Sequence, residues 1–130
     1  MNKSHVIYLF LVILMTACNT TKKVKSGAVA YDVKQYALAV QLYEQEFNAI
    51  DDKGAKALKA YKLGKSYDAL NDASNASKWY YTADDLGYGP DATLGLAFAL
   101  KGTERYEEAI TVFQKLVKNS SYRFYERQIS

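Results

Sequence analysis

The chain has 130 residues, a formal net charge of +3, 49% hydrophobic residues and 24% charged ones. That length suits one small domain, and twelve tyrosines and five phenylalanines set it apart from compositionally disordered chains. A charge this small gives no argument for a nucleic-acid partner.

The chain opens with a charged start that includes Lys3, then an apolar run over residues 6–15 (VIYLFLVILM), then Met15-Thr16-Ala17-Cys18. A charged start, a short apolar segment and small residues before a cleavage point are the parts of a secretory signal. The apolar run is too short to span a bilayer, which takes about 20 residues. The order resembles the lipobox of bacterial lipoproteins, which implies that residues 1–17 are removed and that Cys18 is lipidated. Two or three acyl chains on one residue would anchor the protein firmly, at about 0.8 kcal/mol per buried CH₂. An ordinary secretory signal with a free cysteine, and an uncleaved N-terminal anchor, are the alternatives.

Cleavage would leave residues 18–130, with a charge of +2 once Lys3 is lost and no histidine, because His5 is the only one. Without a histidine and with its cysteine blocked, such a chain has no His-based acid/base pair, no Ser/His or Cys/His nucleophile and no Cys/His zinc site. No GxGxxG, P-loop or EF-hand loop appears. The acidic pairs Asp51-Asp52, Asp84-Asp85 and Glu107-Glu108 are sequence neighbours that diverge on a helix, so they read as solvated surface. The expectation is a protein that is not an enzyme and that has no cofactor, no metal and no small-molecule substrate.

Residues 18–26, containing NTTKKVKS, read as a flexible tether. Beyond them the periodicity predicts helices near 27–34, 36–50, 55–70, 73–86, 91–101 and 104–118, with another starting near Tyr122. Tyr36, Ala39, Val40, Tyr43, Phe47 and Ile50 form one apolar stripe, and Tyr106, Ala109, Ile110, Phe113, Leu116 and Val117 form another. Ala60, Leu63, Gly64, Tyr67 and Leu70 mark the intervening type of helix. Asp72 and Thr103 suit N-caps, Gly87 and Gly102 suit left-handed helix ends, and Pro90 suits a first turn.

The helices repeat. Ala39, Ala76 and Ala109 recur at spacings of 37 and 33 residues, each followed four residues later by Tyr43, Tyr80 or Phe113 and preceded by twelve by Gly27, Gly64 or Ala97. A period near 34 signals stacked helical hairpins, each burying its apolar face on the next. The small residues are expected to face one another within a hairpin, Gly64 against Ala76 and Ala97 against Ala109. The aromatic four residues on would fill the space between hairpins.

These residues resemble the tetratricopeptide repeat (TPR). Leu63, Gly64, Tyr67, Ala76, Tyr80 and Ala83 carry the match in the middle unit, and Leu96, Ala97, Tyr106, Ala109 and Phe113 in the third. The first keeps Tyr36, Ala39 and Tyr43 but has Glu46 where a small residue is expected, and the closing proline is missing throughout. The resemblance covers residues 27–118. It implies an all-α, right-handed superhelix of about three antiparallel helix pairs after a cleaved signal, with residues 119–130 as the truncated start of a further helix. The lipobox, the repeats, Gly87-Tyr88-Gly89, ALKGTERYEEAI and SYRFYERQIS together resemble the N-terminal region of Bacteroidetes OmpA-family lipoproteins, which carry TPR and PD40 repeats and are in part associated with type IX secretion and gliding.

That resemblance implies a lipid-anchored scaffold on the periplasmic side of the outer membrane, holding an envelope protein on the concave face of the repeats and the membrane through lipid on Cys18. The alternative is a SusD-like glycan-uptake lipoprotein that binds rather than catalyses. First helices line the concave side of such stacks. The residues there expected to turn away from their own partner helices are Tyr61, Lys65 and Asp68, then Leu94, Phe98 and Lys101, with Tyr31 a weaker member. Leu94 and Phe98 suit a core equally well, and Lys65 and Asp68 suit ordinary solvated charges.

Overall fold

In the computed structural model, residues 2–4 and 23–119 are described. Cys18, the first part of the tether and the helix expected from Tyr122 lie outside the described residues. Among the described residues the protein is all-helical. α1 spans Gly27–Asp32, α2 Tyr36–Ala49, α3 Lys53–Ala69, α4 Ala73–Asp85, α5 Pro90–Gly102 and α6 Tyr106–Lys118. No helix among them is long and apolar enough to cross a membrane.

Each helix packs against the next in sequence, and α3 also touches α5. Short connections between packed helices make antiparallel hairpins, α1/α2, α3/α4 and α5/α6. Their turns are built alike. The middle residue is left-handed in each, with φ of 61° at Lys34, 57° at Asn71 and 61° at Glu104. In each, the next residue's N–H reaches back five residues to a helix carbonyl: Gln35 to Ala30 (2.8 Å), Asp72 to Tyr67 (2.9 Å) and Arg105 to Leu100 (3.0 Å). These bonds satisfy carbonyls that a helix end leaves open. The turns recur at the same 37- and 33-residue spacings as the alanines.

The caps follow partly as expected. Asp72 caps α4 by accepting from the Asn75 N–H at 3.0 Å. Asp52 caps α3 through the Ala55 N–H at 2.7 Å, so one member of an acidic pair has a structural task. Pro90 stands in the first turn of α5. Thr103 is not an N-cap. It closes the end of α5, its hydroxyl donating to the Ala99 and Leu100 carbonyls, and Arg105 precedes α6. Gly87 is left-handed at φ 84°, but Gly102 is the last residue of α5 and Glu104 takes the left-handed place.

The core is made of small residues and tyrosine rings. Ala39, Ala76 and Ala109 are all buried, with Tyr43 and Tyr80 nearly inaccessible. The residue closest to Gly64 is Tyr80 rather than Ala76: a Cβ on Gly64 would lie 2.6 Å from that ring, and one on Gly95 would lie 2.7 Å from it. The Tyr80 ring therefore sits in a slot between α3 and α5, joining two hairpins. Gly27 makes the same approach to Tyr43, at 2.5 Å. Glu46, the misfit in the first unit, has a role of its own. Its carboxylate accepts from the Gly27 N–H at 2.8 Å and pairs with Lys59 at 2.5 Å, tying the start of α1 and the body of α3 to α2. Burial alone would raise its pKa, but these two partners hold it below the ordinary carboxylate range.

Candidate interaction face

Two rows of side chains run side by side. Tyr61, Lys65 and Asp68 lie at i, i+4 and i+7 on α3, which places them on one face. Asp91, Leu94, Phe98 and Lys101, at i, i+3, i+7 and i+10, share one face of α5. Since α3 and α5 are neighbours with α4 running the other way, the rows are parallel.

The centre of the face is aromatic. Tyr61 stacks on Tyr88 with ring centroids 4.3 Å apart and planes 13° apart, and it tilts against Tyr80 at 5.8 Å. Stacking of this kind contributes about 0.5–1.5 kcal/mol beyond area burial. Tyr88 sits in the α4–α5 connection, which the left-handed glycines Gly87 and Gly89 shape. The Tyr80 hydroxyl donates to Asp68 Oδ2 at 2.5 Å. Phe98 is 56% exposed and meets Phe113 edge-on at 5.5 Å. Leu94 is half-buried, while Lys65 and Lys101 are exposed and make no ion pair among the described residues.

Three of the expected residues therefore do touch their own hairpin partner. Asp68 and Tyr61 contact Tyr80 of α4, and Phe98 contacts Phe113 of α6. Long aromatic side chains and a short carboxylate bridge sideways to the next helix while leaving an edge open. Tyr88 and Asp91 join the face without having been singled out by sequence. Tyr88 lies in a loop, where helical periodicity carries no information, but its place between two glycines was visible.

The electrostatics keep the face's phenols protonated. Burial, and then Asp91, Tyr88, Tyr31 and Asp68 in turn, raise Tyr61 above its ordinary value. Burial and then Asp91 raise Tyr88. Burial first, then the hydrogen bond to Asp68, push Tyr80 far upward. Neutral hydroxyls and aromatic faces beside carboxylates and lysines can accept backbone groups and side chains of another chain.

A groove of about 630 Å³ lies on the other side of α5, floored by Leu96, Leu100 and Val112. Leu96 and Leu100 stand roughly 200° round the helix from Leu94 and Phe98. At its rim Asp84 accepts from Thr93 Oγ1 and pairs with Lys115 at 2.6 Å, and Arg105 holds Glu108. Asp84 is thus partly buried and engaged, not the solvated charge that its place in an acidic pair suggested.

Compared with known proteins, the chain matches no family model, no curated sequence and no solved structure.

Proposed function

We propose that this protein is a lipid-anchored scaffold whose repeats form a TPR-like right-handed superhelix and hold a segment of another envelope protein on the α3/α5 face. The observation that carries the reading is a partly exposed apolar face with charges around it: half-buried Tyr61 stacked on half-buried Tyr88, half-buried Leu94 and exposed Phe98 along α5, and Lys65, Asp68, Asp91 and Lys101 on the same helix faces. Partly exposed aromatics surrounded by polar groups are what binding hot spots are made of. In a stack of hairpins this would be the concave side.

The lipobox-like residues 15–18 support an anchor at Cys18, and the absence of acidic residues just after it supports a periplasm-facing position on the outer membrane. The described connections hold only a few residues each, which favours a scaffold over a loop-rich glycan-binding protein. Binding rather than catalysis is the role this reading assigns.

Three measurements test it. Cys18→Ser should move the protein out of the membrane fraction, and mass spectrometry of the wild-type protein should find acyl chains on Cys18. An unmodified Cys18 would remove the anchor from the reading. Tyr61→Ala and Phe98→Ala, each shown to be folded by circular dichroism, should each weaken capture of the partner from envelope extracts. Lys65→Ala should weaken it less, because rim charges contribute little. An unchanged set of captured proteins would move the binding surface elsewhere.

A further inference from the structure

The groove over α5 has a counterpart one unit earlier. α2 and α4 flank α3 as α4 and α6 flank α5. Over α3 the space is closed by the chain's own rings. Trp79 of α4 meets Phe47 of α2 edge-on, with centroids 5.1 Å apart, and Tyr67 of α3 packs in the same cluster, around buried Val40 and Leu63.

The repeat spacing identifies what stands in those places over α5. A step of 33 residues takes Leu63 to Leu96, Tyr67 to Leu100 and Trp79 to Val112, and a step of 37 takes Val40 to Ser77 and Phe47 to Asp84. All five of the later residues line the groove. Leucine, valine and aspartate stand where the earlier unit has three rings, and serine stands where it has a buried valine. A small side chain in the place of a large one leaves a hollow wherever the surrounding helices do not collapse. This hollow is about 630 Å³, within the roughly 300–1,000 Å³ of small-molecule sites. Val112 lines it from α6, whereas Tyr106, Ile110 and Val117, on the opposite side of that helix, are about half exposed.

The rim selects the charge of an occupant. Lys115 pairs with Asp84 at 2.6 Å, bridging α6 to α4 across one end of the groove, and Arg105 pairs with Glu108. Lys78 makes no ion pair among the described residues, and its ammonium has the Asn75 side-chain oxygen at 3.4 Å. The hydroxyls of Ser77, Thr82 and Thr111 donate to carbonyls of their own helices. The lining thus offers an apolar floor where rings sit in the earlier unit, and one cation without an acidic partner among the described residues.

We propose that this groove binds a small aromatic anion. Its flat ring system lies over Leu96, Leu100 and Val112, in the place that Tyr67, Trp79 and Phe47 fill one unit earlier, and its charge lies beside Lys78. A small molecule is favoured over an extended chain because the Asp84–Lys115 bridge crosses one end of the groove. The site is separate from the α3/α5 face and does not depend on what binds there.

The test uses the full chain in lipid nanodiscs, with ¹³C-labelled leucine and valine methyls and naphthoate as the probe. The expected result is a saturable shift of the Leu96, Leu100 and Val112 methyls, with Leu63, at the equivalent place over α3, unmoved. Val112→Trp restores the ring of the earlier unit and, shown to be folded by circular dichroism, should abolish the binding. Lys78→Ala should weaken naphthoate about two- to fivefold, the range of an exposed charge pair, and leave the binding of neutral naphthamide unchanged. No shift at these methyls up to millimolar naphthoate would overturn the proposal, as would undiminished binding by folded Val112→Trp. Equal losses of naphthoate and naphthamide in Lys78→Ala would overturn the assignment of an anion. Octanoate binding as tightly as naphthoate would overturn the aromatic ring in favour of an acyl chain.

Discussion

Tyr80 is the residue on which the middle of the molecule turns. It fills the slot that Gly64 and Gly95 leave open, and its hydroxyl reaches Asp68. A methyl group at Gly64 would meet the ring at 2.6 Å, closer than atoms tolerate, whereas one at Gly54 in the same helix would meet only Asp52 Oδ1 at 3.5 Å. Alanine gains roughly 0.5–1 kcal/mol over glycine inside a helix, but overpacking costs about 1–3 kcal/mol. Gly64→Ala should therefore lower the urea midpoint while Gly54→Ala leaves it unchanged or raises it. The same shift for both would mean that Tyr80 yields freely.

The Tyr80 phenol also predicts a pH dependence. Burial first, and Asp68 next, raise its pKa above the ordinary 10.0. A folded value above the unfolded one means that the stabilisation is complete below about pH 10 and is lost as the pH rises further. The unfolded chain can ionise there and the folded one cannot. Tyr80→Phe has no such ionisation, so its stability should fall less than that of wild type between about pH 9 and pH 11. Tyr43, Tyr61, Tyr67 and Tyr88 are raised as well, so some alkaline loss should remain in the variant. Identical pH profiles would show that Tyr80 ionises in place.

At the scale of elements, the helices were legible because their apolar residues keep a 3.6-residue period, and the observed bounds lie within about two residues of the periodic ones. The turns were less legible. Sequence reasoning looks for glycine where φ is positive, and Gly102 drew attention away from Glu104. The hairpins instead use Lys34, Asn71 and Glu104, detectable only through their recurrence at 37 and 33 residues. A non-glycine residue in the left-handed region carries a cost of about 1–2 kcal/mol, which asparagine escapes in part. Glu104→Gly should consequently stabilise the protein by about 0.5–1 kcal/mol in urea unfolding, net of glycine's backbone entropy. Asn71→Gly should change it little. Destabilisation by Glu104→Gly would show that the side chain, not the backbone, holds that turn. α6 marks another limit of the sequence: periodicity reveals an apolar stripe but not what lies against it.

For the molecule as a whole, the positions of Tyr61, Lys65, Asp68, Leu94, Phe98 and Lys101 on α3 and α5 were legible because helical spacing places them there whatever covers them. Tyr88 and Asp91 were not, since a loop residue and a first-turn residue reach the face only through the way α5 enters behind Gly87 and Gly89. The central claim is that this face, not the groove across α5, engages another protein. Site-specific photo-crosslinking in cells carrying the native gene tests it most directly, with the probe placed at exposed Lys65 or Lys101 and, as a comparison, at Tyr81 on the groove rim, 62% exposed. The account predicts one discrete adduct shared by the Lys65 and Lys101 probes, lost when Tyr61→Ala is added, and none from Tyr81. An adduct from Tyr81 alone, or one at Lys65 that survives Tyr61→Ala, would contradict it.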